Sequence, residues 1–172
     1  NIVLVLNNGR PLTISWAAEK IPTIVEAWQL GTETGNAVAQ VLYGDYNPSG
    51  KLPMSFPRNI GQVPIAYNHY STGRFTNKDN NVFWSHYSDV EKTPLYPFGY
   101  GLSYTTFEYS KLKINKKTFS KGEKIEVSVD LKNTGKVTGK EVAQLYLQDE
   151  FASVVRPVKD LKGFEMIELK AG

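Results

Sequence analysis

The chain has 172 residues, of which 41% are hydrophobic, 22% charged and 12% aromatic, and this composition excludes a disordered or low-complexity chain. The net charge of +3 gives no reason to expect nucleic acid or an anionic membrane as a partner. The sequence contains no run of about 18 apolar residues that could span a membrane, and the absence of cysteine removes disulfides, thiolate catalysis and cysteine-based zinc sites.

The first part of the chain has the pattern of an α/β fold. The apolar run 1–6 is typical of a strand buried on both faces. Residues 12–15 alternate and predict a short strand, 17–20 fit one helical turn, and 24–28 form a second short apolar run that predicts a buried strand. The first of these strands would need neighbours on both sides.

The clearest predicted helix follows. Thr32 is the expected N-cap and Gly44 the expected C-terminal stop. An apolar stripe at helical spacing lies between them, formed by Ala37, Val38, Val41 and Leu42. Strand, turn, strand and helix in this order indicate an α/β unit.

The composition changes between residues 45 and 104, which we call the irregular segment. This stretch holds most of the prolines and many Gly, Asn, Tyr and Ser residues. Such a composition predicts an ordered, irregular and aromatic-rich connection rather than helix or sheet. Connections of this length are unusual in a compact domain and are often functional.

The remainder of the chain, residues 105–172, reads as β structure, and we call it the β unit. Apolar and polar residues alternate over 125–131, which predicts a half-buried antiparallel strand. With 108–114, 141–148 and 161–169 the segment predicts about four strands, and 133–135 predicts a turn. A sandwich of the immunoglobulin type has about seven strands, so this β unit is expected to be incomplete.

Both ends of the chain lead to the same expectation. A strand buried on both faces opens the chain, and an unfinished β unit closes it. We therefore expect the chain to be an internal piece of a longer polypeptide. The alternative is a complete small protein that opens on an edge strand.

Motifs that would indicate chemistry within the chain are weak. The stretch 135–140 contains two glycines and a lysine, but only three residues separate the glycines, and Glu141 follows where a phosphate loop has Ser or Thr. A hairpin or loop is the expected structure there. The two histidines, His69 and His86, have no partner at ligand spacing, so neither a metal site nor a cofactor is expected. No nucleophile with an adjacent base is visible.

Several stretches together resemble one enzyme family. They are NNGRP at 7–11, EAWQLGTETGNA at 26–37, NPSGKLPMSFP at 47–57 and YPFGYGLSYTTF at 96–107. In this order they resemble the C-terminal part of glycoside hydrolase family 3 enzymes, over essentially the whole chain. YNHYSTGR at 67–74, with the segment 84–89, is most similar to the bacterial periplasmic β-glucosidase subgroup. Leu30 departs from the pattern, because the family usually has Pro there.

The resemblance implies an architecture. Such enzymes have a (β/α)8-type barrel, a second α/β sandwich domain and a fibronectin-III-like β domain. Residues 1–104 would be the C-terminal part of the α/β sandwich plus a linking loop. Residues 105–172 would be the N-terminal part of an incomplete fibronectin-III-like β-sandwich.

The resemblance also implies an activity for the parent enzyme. The family hydrolyses terminal non-reducing β-D-glucosyl residues with retention, which requires two carboxyl groups. Its nucleophile lies in the barrel and its acid/base Glu lies upstream of this chain, so no catalytic residue is assigned and the fragment is expected to be inactive alone. Glu26 and Glu33 lie outside the family's acid/base motif. A β-glucoside or oligosaccharide would bind through the barrel, without a cofactor.

Further expectations concern partners and substrate contacts. The resemblance implies a periplasmic or secreted bacterial location and a homodimer of the parent enzyme. Candidate residues for a substrate rim or a subunit contact are Tyr67, Asn68, His69 and Arg74, because sugars bind by aromatic stacking and convergent hydrogen bonds. The other reading of this loop is a strap between the two domains, with its tyrosines as packing. Two alternatives for the whole chain stay open, a non-catalytic structural or carbohydrate-binding module and a fragment that completes an enzyme whose remainder is a separate chain.

Overall fold

The computed structural model describes residues 2–71 and 85–172, and these contain six strands, two α-helices and two short 3-10 helices. Strands therefore dominate the regular structure. Arg74, one of the four rim candidates, lies outside the described residues. Within the described ranges, no helix combines the length and the apolar character needed to cross a membrane.

The α/β part begins with a parallel strand pair. Strand β1 (Val3–Leu6) pairs with β2 (Thr23–Glu26), and helix α1 (Ser15–Lys20) lies between them in the chain. The predicted strand at 12–15 is wrong, because Ser15 already begins α1. The residues that follow it, Ala, Ala, Glu and Lys at 17–20, are good helix formers and extend the predicted helical turn backward.

The prediction that β1 is buried on both faces is wrong for the described chain. Val3 is exposed, and the remaining three residues of the strand are half-buried. Within the described residues β1 is paired only with β2, so one strand edge and part of both faces remain open. The apolar pattern predicted the strand correctly. The burial of β1, however, depends on neighbouring elements, which the pattern does not predict.

Helix α2 (Thr34–Tyr43) is present where the apolar stripe placed a helix. It begins later than predicted, because a 3-10 turn, Gly31–Glu33, precedes it. Thr32 is therefore not the N-cap, and Thr34 Oγ1 instead donates a hydrogen bond of 2.6 Å to the Gly31 carbonyl. The predicted end is confirmed, since Gly44 adopts a left-handed conformation with φ of 84° and donates its N–H to the Val41 carbonyl.

The irregular segment is ordered over its described part. Residues 52–56 run beside 95–100, held by backbone hydrogen bonds of 2.8 Å from Phe56 to Tyr96 and from Leu52 to Tyr100. Phe56 is only 2% exposed, and its ring lies 6.0 Å from that of Trp28 and 6.3 Å from that of Tyr96. The segment thus forms an aromatic core in place of regular sheet.

The β unit contains four strands, as predicted. They are β3 (Phe107–Ile114), β4 (Val127–Asn133), β5 (Gly139–Leu147) and β6 (Asp160–Leu169). Strand β3 pairs with β4 and β5 pairs with β6, each pair antiparallel. Strands β4 and β5 lie in different sheets, so the connection between them is a loop that crosses from one sheet to the other rather than a hairpin.

A buried amide fixes this crossing. Asn133, the last residue of β4, is 2% exposed. Its Oδ1 accepts hydrogen bonds from Thr105 Oγ1 (2.6 Å) and the Gly135 N–H (3.0 Å). Its Nδ2 donates to the carbonyls of Val137 (2.9 Å) and Leu169 (3.1 Å), so one side chain joins the start of β3, the crossing loop and the end of β6.

Replacement of Asn133 by Ala should lower the free energy of unfolding of the chain by about 3 kcal/mol or more. The variant leaves buried donors and acceptors without partners, and each such group costs about 1–3 kcal/mol. Chemical denaturation followed by circular dichroism measures the change. The matched control is Asn115→Ala, an exposed asparagine whose side chain accepts one hydrogen bond, from the Glu126 N–H. Equal losses in the two variants would contradict the role given to Asn133.

Candidate functional site

A cleft lies where the irregular segment meets the β unit. It has a volume of about 370 Å³, and the residues that carry its interactions are Lys51, Gly99, Tyr109, Glu141, Gln144 and Tyr146. Lys51 and Gly99 come from the irregular segment, and the other four come from β3 and β5. The cleft is thus part of a junction between two sequence-distant regions, which we call the junction.

An ion pair joins the two sides of the junction. Lys51 Nζ lies 2.9 Å from Glu141 Oε2, and the two side chains are only 16% and 12% exposed. Lys51 Nζ also donates a hydrogen bond of 3.0 Å to the Gly101 carbonyl. Because two partly buried charges must be paired to offset their lost hydration, neither residue can be removed alone without leaving the other charge unpaired.

The same carboxylate holds Tyr109. The Tyr109 hydroxyl donates a hydrogen bond of 3.0 Å to Glu141 Oε1. Burial, the negative charge of Glu141 and this hydrogen bond together raise the pKa of Tyr109 to about 12. Each of these effects favours the neutral phenol. Tyr109 is therefore a hydrogen-bond donor at neutral pH and has no tendency to act as a base.

A second contact of the junction requires a glycine. Gln144 Nε2 donates a hydrogen bond of 3.0 Å to the Gly99 carbonyl, and Gln144 Oε1 accepts one of 2.6 Å from the Tyr146 hydroxyl. Gly99 has φ of 80°, which L side chains rarely adopt. A Cβ at this position would also collide with Gln144 Oε1 and lie 2.7 Å from the Tyr146 hydroxyl.

Asn47 joins the two regions a third time. Its Oδ1 accepts hydrogen bonds of 2.8 Å from Ser103 Oγ and from the Tyr104 N–H. Its Nδ2 donates a hydrogen bond of 3.0 Å to the Thr138 carbonyl in the crossing loop. One amide therefore connects both ends of the irregular segment to the β unit.

Tyr67, the first rim candidate, packs within the junction. Its ring is stacked on Phe98, with 4.1 Å between centroids and 14° between planes, and meets Tyr146 edge to face at 6.1 Å. Its hydroxyl oxygen accepts a hydrogen bond of 3.4 Å from the Leu161 N–H. This geometry leaves one ring face available for a ligand at most.

Asn68 and His69, the next two candidates, are exposed. The His69 carbonyl accepts a hydrogen bond of 2.9 Å from the Val158 N–H, so the backbone here is attached to the connection between β5 and β6. His69 Nδ1 lies 3.0 Å from the Tyr70 carbonyl. Asn68 and His69, which follow Tyr67 directly in the chain, therefore lie at one edge of the junction.

The two carboxylates considered as substitutes for a catalytic acid occupy different environments. Glu26 ends β2; burial raises the pKa of its carboxyl, and the hydrogen bond of 3.0 Å that Oε1 accepts from the Trp28 N–H opposes the rise. Glu33 is exposed and accepts a hydrogen bond of 2.6 Å from Asn36 Nδ2. In the described ranges, no three His, Asp or Glu side chains are placed to share a metal ion.

Sequence reasoning did not find the residues that carry the junction. Asn47 and Lys51 lie in the irregular segment, within the stretch 47–57 that carries the family resemblance, and Glu141 and Gln144 lie in a predicted strand. The available signal was the glycine pair Gly99 and Gly101, since glycines at fixed places in an aromatic stretch indicate close approach of another group. That signal gives no information about which group approaches.

Comparison with known proteins identifies the family. Residues 1–104 match the model of the glycosyl hydrolase family 3 C-terminal domain, and residues 141–172 match a fibronectin type III-like domain. Because the match to the family 3 model covers more than half of the chain's residues, the chain belongs to glycoside hydrolase family 3.

The relatives are named as glycosidases. A periplasmic beta-glucosidase of Salmonella typhimurium is 54% identical over 99% of this chain, and a beta-xylosidase of Formosa agariphila is 49% identical over 99%. The crystal structure of beta-glucosidase from Listeria innocua in complex with glucose has a TM-score of 0.94 and 48% identity, again over 99% of this chain. The chain spans only 22%, 23% and 24% of these proteins.

Gly99→Ala should destabilise the chain by about 2 kcal/mol or more, because the new Cβ meets both a strained φ and the Gln144–Tyr146 pair. Gly50→Ala is the matched control, since a Cβ there has nothing within 4 Å and its φ is not in the left-handed region. The control should stay within about 0.5 kcal/mol of the parent chain. Urea unfolding of both variants measures the difference, and a Gly99 variant as stable as the control would show that the junction tolerates a side chain.

The titration of Tyr109 gives a second prediction. Its folded-state pKa of about 12 exceeds the ordinary value of 10.0, so the folded chain keeps a proton that the unfolded chain releases. Stability should therefore fall as pH rises from 10 to about 12. Tyr109→Phe should remove one late-titrating group from the ultraviolet absorbance titration, and Glu141→Gln should move that group to lower pH. If the high-pH part of the absorbance titration is unchanged in both variants, the raised pKa does not belong to Tyr109.

Proposed function

We propose that this chain is the C-terminal portion of a retaining β-glucosidase-like glycoside hydrolase, which acts on terminal non-reducing β-D-glucosyl residues and does so through residues outside this chain. Membership of family 3 and the beta-glucosidase names of the Salmonella and Listeria relatives support this proposal. The beta-xylosidase among equally covered relatives supports the proposal that the sugar is chosen elsewhere in the polypeptide. No catalytic residue is assigned to the described ranges.

The family match carries the proposal, and the surface of the chain supports its second part, that further polypeptide supplies the active site. The accessible area of the chain is 13096 Å², whereas a folded monomer of 19.3 kDa is expected to expose about 8,500 Å². Large apolar side chains contribute, among them Phe164 at 72% and Ile114 at 55% exposure on strands of the β unit. Faces of this kind are normally covered by further polypeptide.

The secondary structure supports a division into two domains. Residues 1–104 would be the C-terminal part of an α/β sandwich domain with its linking loop, because they contain a parallel strand pair and two helices. Residues 105–172 would be the N-terminal part of a fibronectin-III-like sandwich, because they contain two antiparallel pairs in separate sheets. A boundary at 104/105 falls just before β3, within the hydrogen-bonded stretch next to Asn47.

The location, the assembly and the substrate rim are further parts of the proposal. A periplasmic or secreted location is supported by the Salmonella relative, which is named a periplasmic beta-glucosidase. Asn68 and His69 are proposed to face a substrate rim or a subunit contact of a homodimer, because both are exposed at the edge of the junction. Tyr67 is proposed to pack between Phe98 and Tyr146, and Arg74 stays a rim candidate on the basis of sequence alone.

A second candidate function is a non-catalytic structural or carbohydrate-binding module. The junction favours the structural form of this candidate, because an ion pair, two side-chain amides and the edge-to-face contact of Tyr67 with Tyr146 hold the irregular segment against the β unit. Such a support would also fit the enzyme proposal, in which the chain would brace a domain that carries catalytic groups. Saturable binding of cello-oligosaccharides by this chain alone would promote the carbohydrate-binding form.

An activity assay tests the enzyme proposal. The purified 172-residue chain should show no hydrolysis of an aryl β-glucoside above a mock-purified control, because both catalytic carboxyls are proposed to lie outside it. Addition of a polypeptide that supplies the barrel and the upstream sandwich should restore turnover if the two pieces associate. Hydrolysis by the chain alone, in material whose intact mass excludes a second polypeptide, would defeat the proposal.

A further inference from the structure

The sheet formed by β5 and β6 has one face that is covered along only one of its two strands. Residues directly opposite each other on paired strands point to the same face. Val142 of β5 lies opposite Met166 of β6. Two residues further along β5, Gln144 lies opposite Phe164. These four residues therefore share one face, which we call the outer face.

The opposite face of this sheet is turned toward β3 and β4. Glu141, which alternates with Val142 along β5, accepts the hydrogen bond of 3.0 Å from the Tyr109 hydroxyl of β3. A Cβ at Gly139 would lie 3.2 Å from Cζ of Phe107. The outer face therefore points away from the proposed sandwich. Further strands of that sandwich would extend the two sheets at their edges and would leave the outer face uncovered.

The irregular segment covers the β5 half of the outer face. Gln144 Nε2 donates its hydrogen bond of 3.0 Å to the Gly99 carbonyl. The Tyr146 ring meets that of Tyr67 edge to face at 6.1 Å, and Val142 is half-buried. Because Gly99 and Tyr67 belong to residues 1–104, the cover comes from the part of the chain that matches the family 3 C-terminal domain.

The β6 half of the outer face is open. Phe164 is 72% exposed and Met166 is 55% exposed. Outward-facing positions on sandwich strands are usually polar, so two neighbouring large apolar side chains at such positions indicate a surface that another body covers. The open half begins where the covered half ends, because Phe164 lies directly opposite Gln144.

We propose that Phe164 and Met166 dock against the polypeptide that precedes residue 1 in the parent enzyme, so that one continuous body covers both halves of the outer face. The proposal rests on the proposed function, in which this chain is the C-terminal portion of a longer enzyme. Continuity supports this occupant, because residues 1–104 already cover the β5 half. The chain spans 22% of the Salmonella relative, so an enzyme of that length contains enough polypeptide to form such a body.

A second copy of this chain fits the observations less well. The accessible area of 13096 Å² exceeds the about 8,500 Å² expected of a folded monomer of this mass by roughly 4,600 Å². An interface of standard size covers about 800 Å² on each partner. A dimer contact of that size would leave most of the excess uncovered, whereas a larger body of the same polypeptide would cover it.

The test measures the affinity of the 172-residue chain for the part of the Salmonella periplasmic beta-glucosidase that precedes its matching segment, which we call the upstream polypeptide. Phe164→Ser with Met166→Ser removes the apolar surface of the outer face, and the affinity should fall by about tenfold or more. The matched control is Leu145→Ser with Leu147→Ser. These leucines are 43% and 53% exposed and alternate with Gln144 along β5, so they point to the opposite face. The control should lose affinity by no more than about twofold.

Two further measurements guard against loss of the fold. A variant that keeps the face apolar, Phe164→Leu with Met166→Leu, should retain the affinity. Oxidation of Met166 by hydrogen peroxide needs no variant, because the rate at which a methionine becomes its sulfoxide follows the exposure of its sulfur. The upstream polypeptide should slow the oxidation of Met166 by about fivefold or more, as measured by mass spectrometry of the peptides.

Three results would overturn the proposal. They are equal losses of affinity in the two serine variants, an unchanged oxidation rate of Met166 and no association of the parent chain with the upstream polypeptide. If the outer-face serine variant instead abolishes self-association of the chain and keeps its affinity for the upstream polypeptide, the face belongs to a second copy. None of these readouts measures hydrolysis, so failure here and failure of the enzyme proposal are distinguishable.

Discussion

Buried polar groups must find hydrogen-bond partners, and in this chain that requirement holds sequence-distant regions together. The described residues include five buried polar side chains, Ser49, Ser55, Gln62, Thr105 and Asn133, beside four buried apolar ones, Ala17, Ala27, Phe56 and Pro57. An unpaired buried polar group costs more than a paired one returns. The contacts of Asn47 and Asn133 therefore fix where the irregular segment meets the crossing loop, together with the ring contacts of Phe56 and Tyr67.

The sequence predicted those parts of the fold that depend on local pattern. Alternation of apolar and polar residues located strands of the β unit, because successive side chains of a strand point to opposite faces and only one face is covered. Gly44 located the end of α2, because the left-handed conformation at a helix terminus favours glycine. The start of α2 was placed too early, since a 3-10 turn and an α-helix share the same terminal residue preferences.

The parts that depend on long-range pairing were not predictable in the same way. The residues of β4 and β5 do not indicate that the two strands belong to different sheets. The crossing between the sheets depends on the hydrogen bonds of Asn133 to Val137 and Leu169. Lys51 and Glu141 are 90 positions apart in the sequence, and a lysine and a glutamate at such a separation carry no mutual signal. For the candidate site, the sequence offered Tyr67 both as a rim residue and as a packing residue of a strap, but it did not identify Phe98 as the ring on which Tyr67 stacks. Family resemblance supplied what local pattern could not, a family 3 C-terminal domain followed by a fibronectin type III-like domain.

The glycines of the junction bear on how freely this protein could exchange modules with its relatives. Gly99 leaves room for the Gln144–Tyr146 pair, and a Cβ at Gly139 would lie 2.8 Å from Asn47 Nδ2. At these two points the regions meet with backbone against side chain. A β domain transplanted from an unrelated protein would lack the matching gaps and donors, so recombination at this boundary should succeed only between parents that share both sides of the contact.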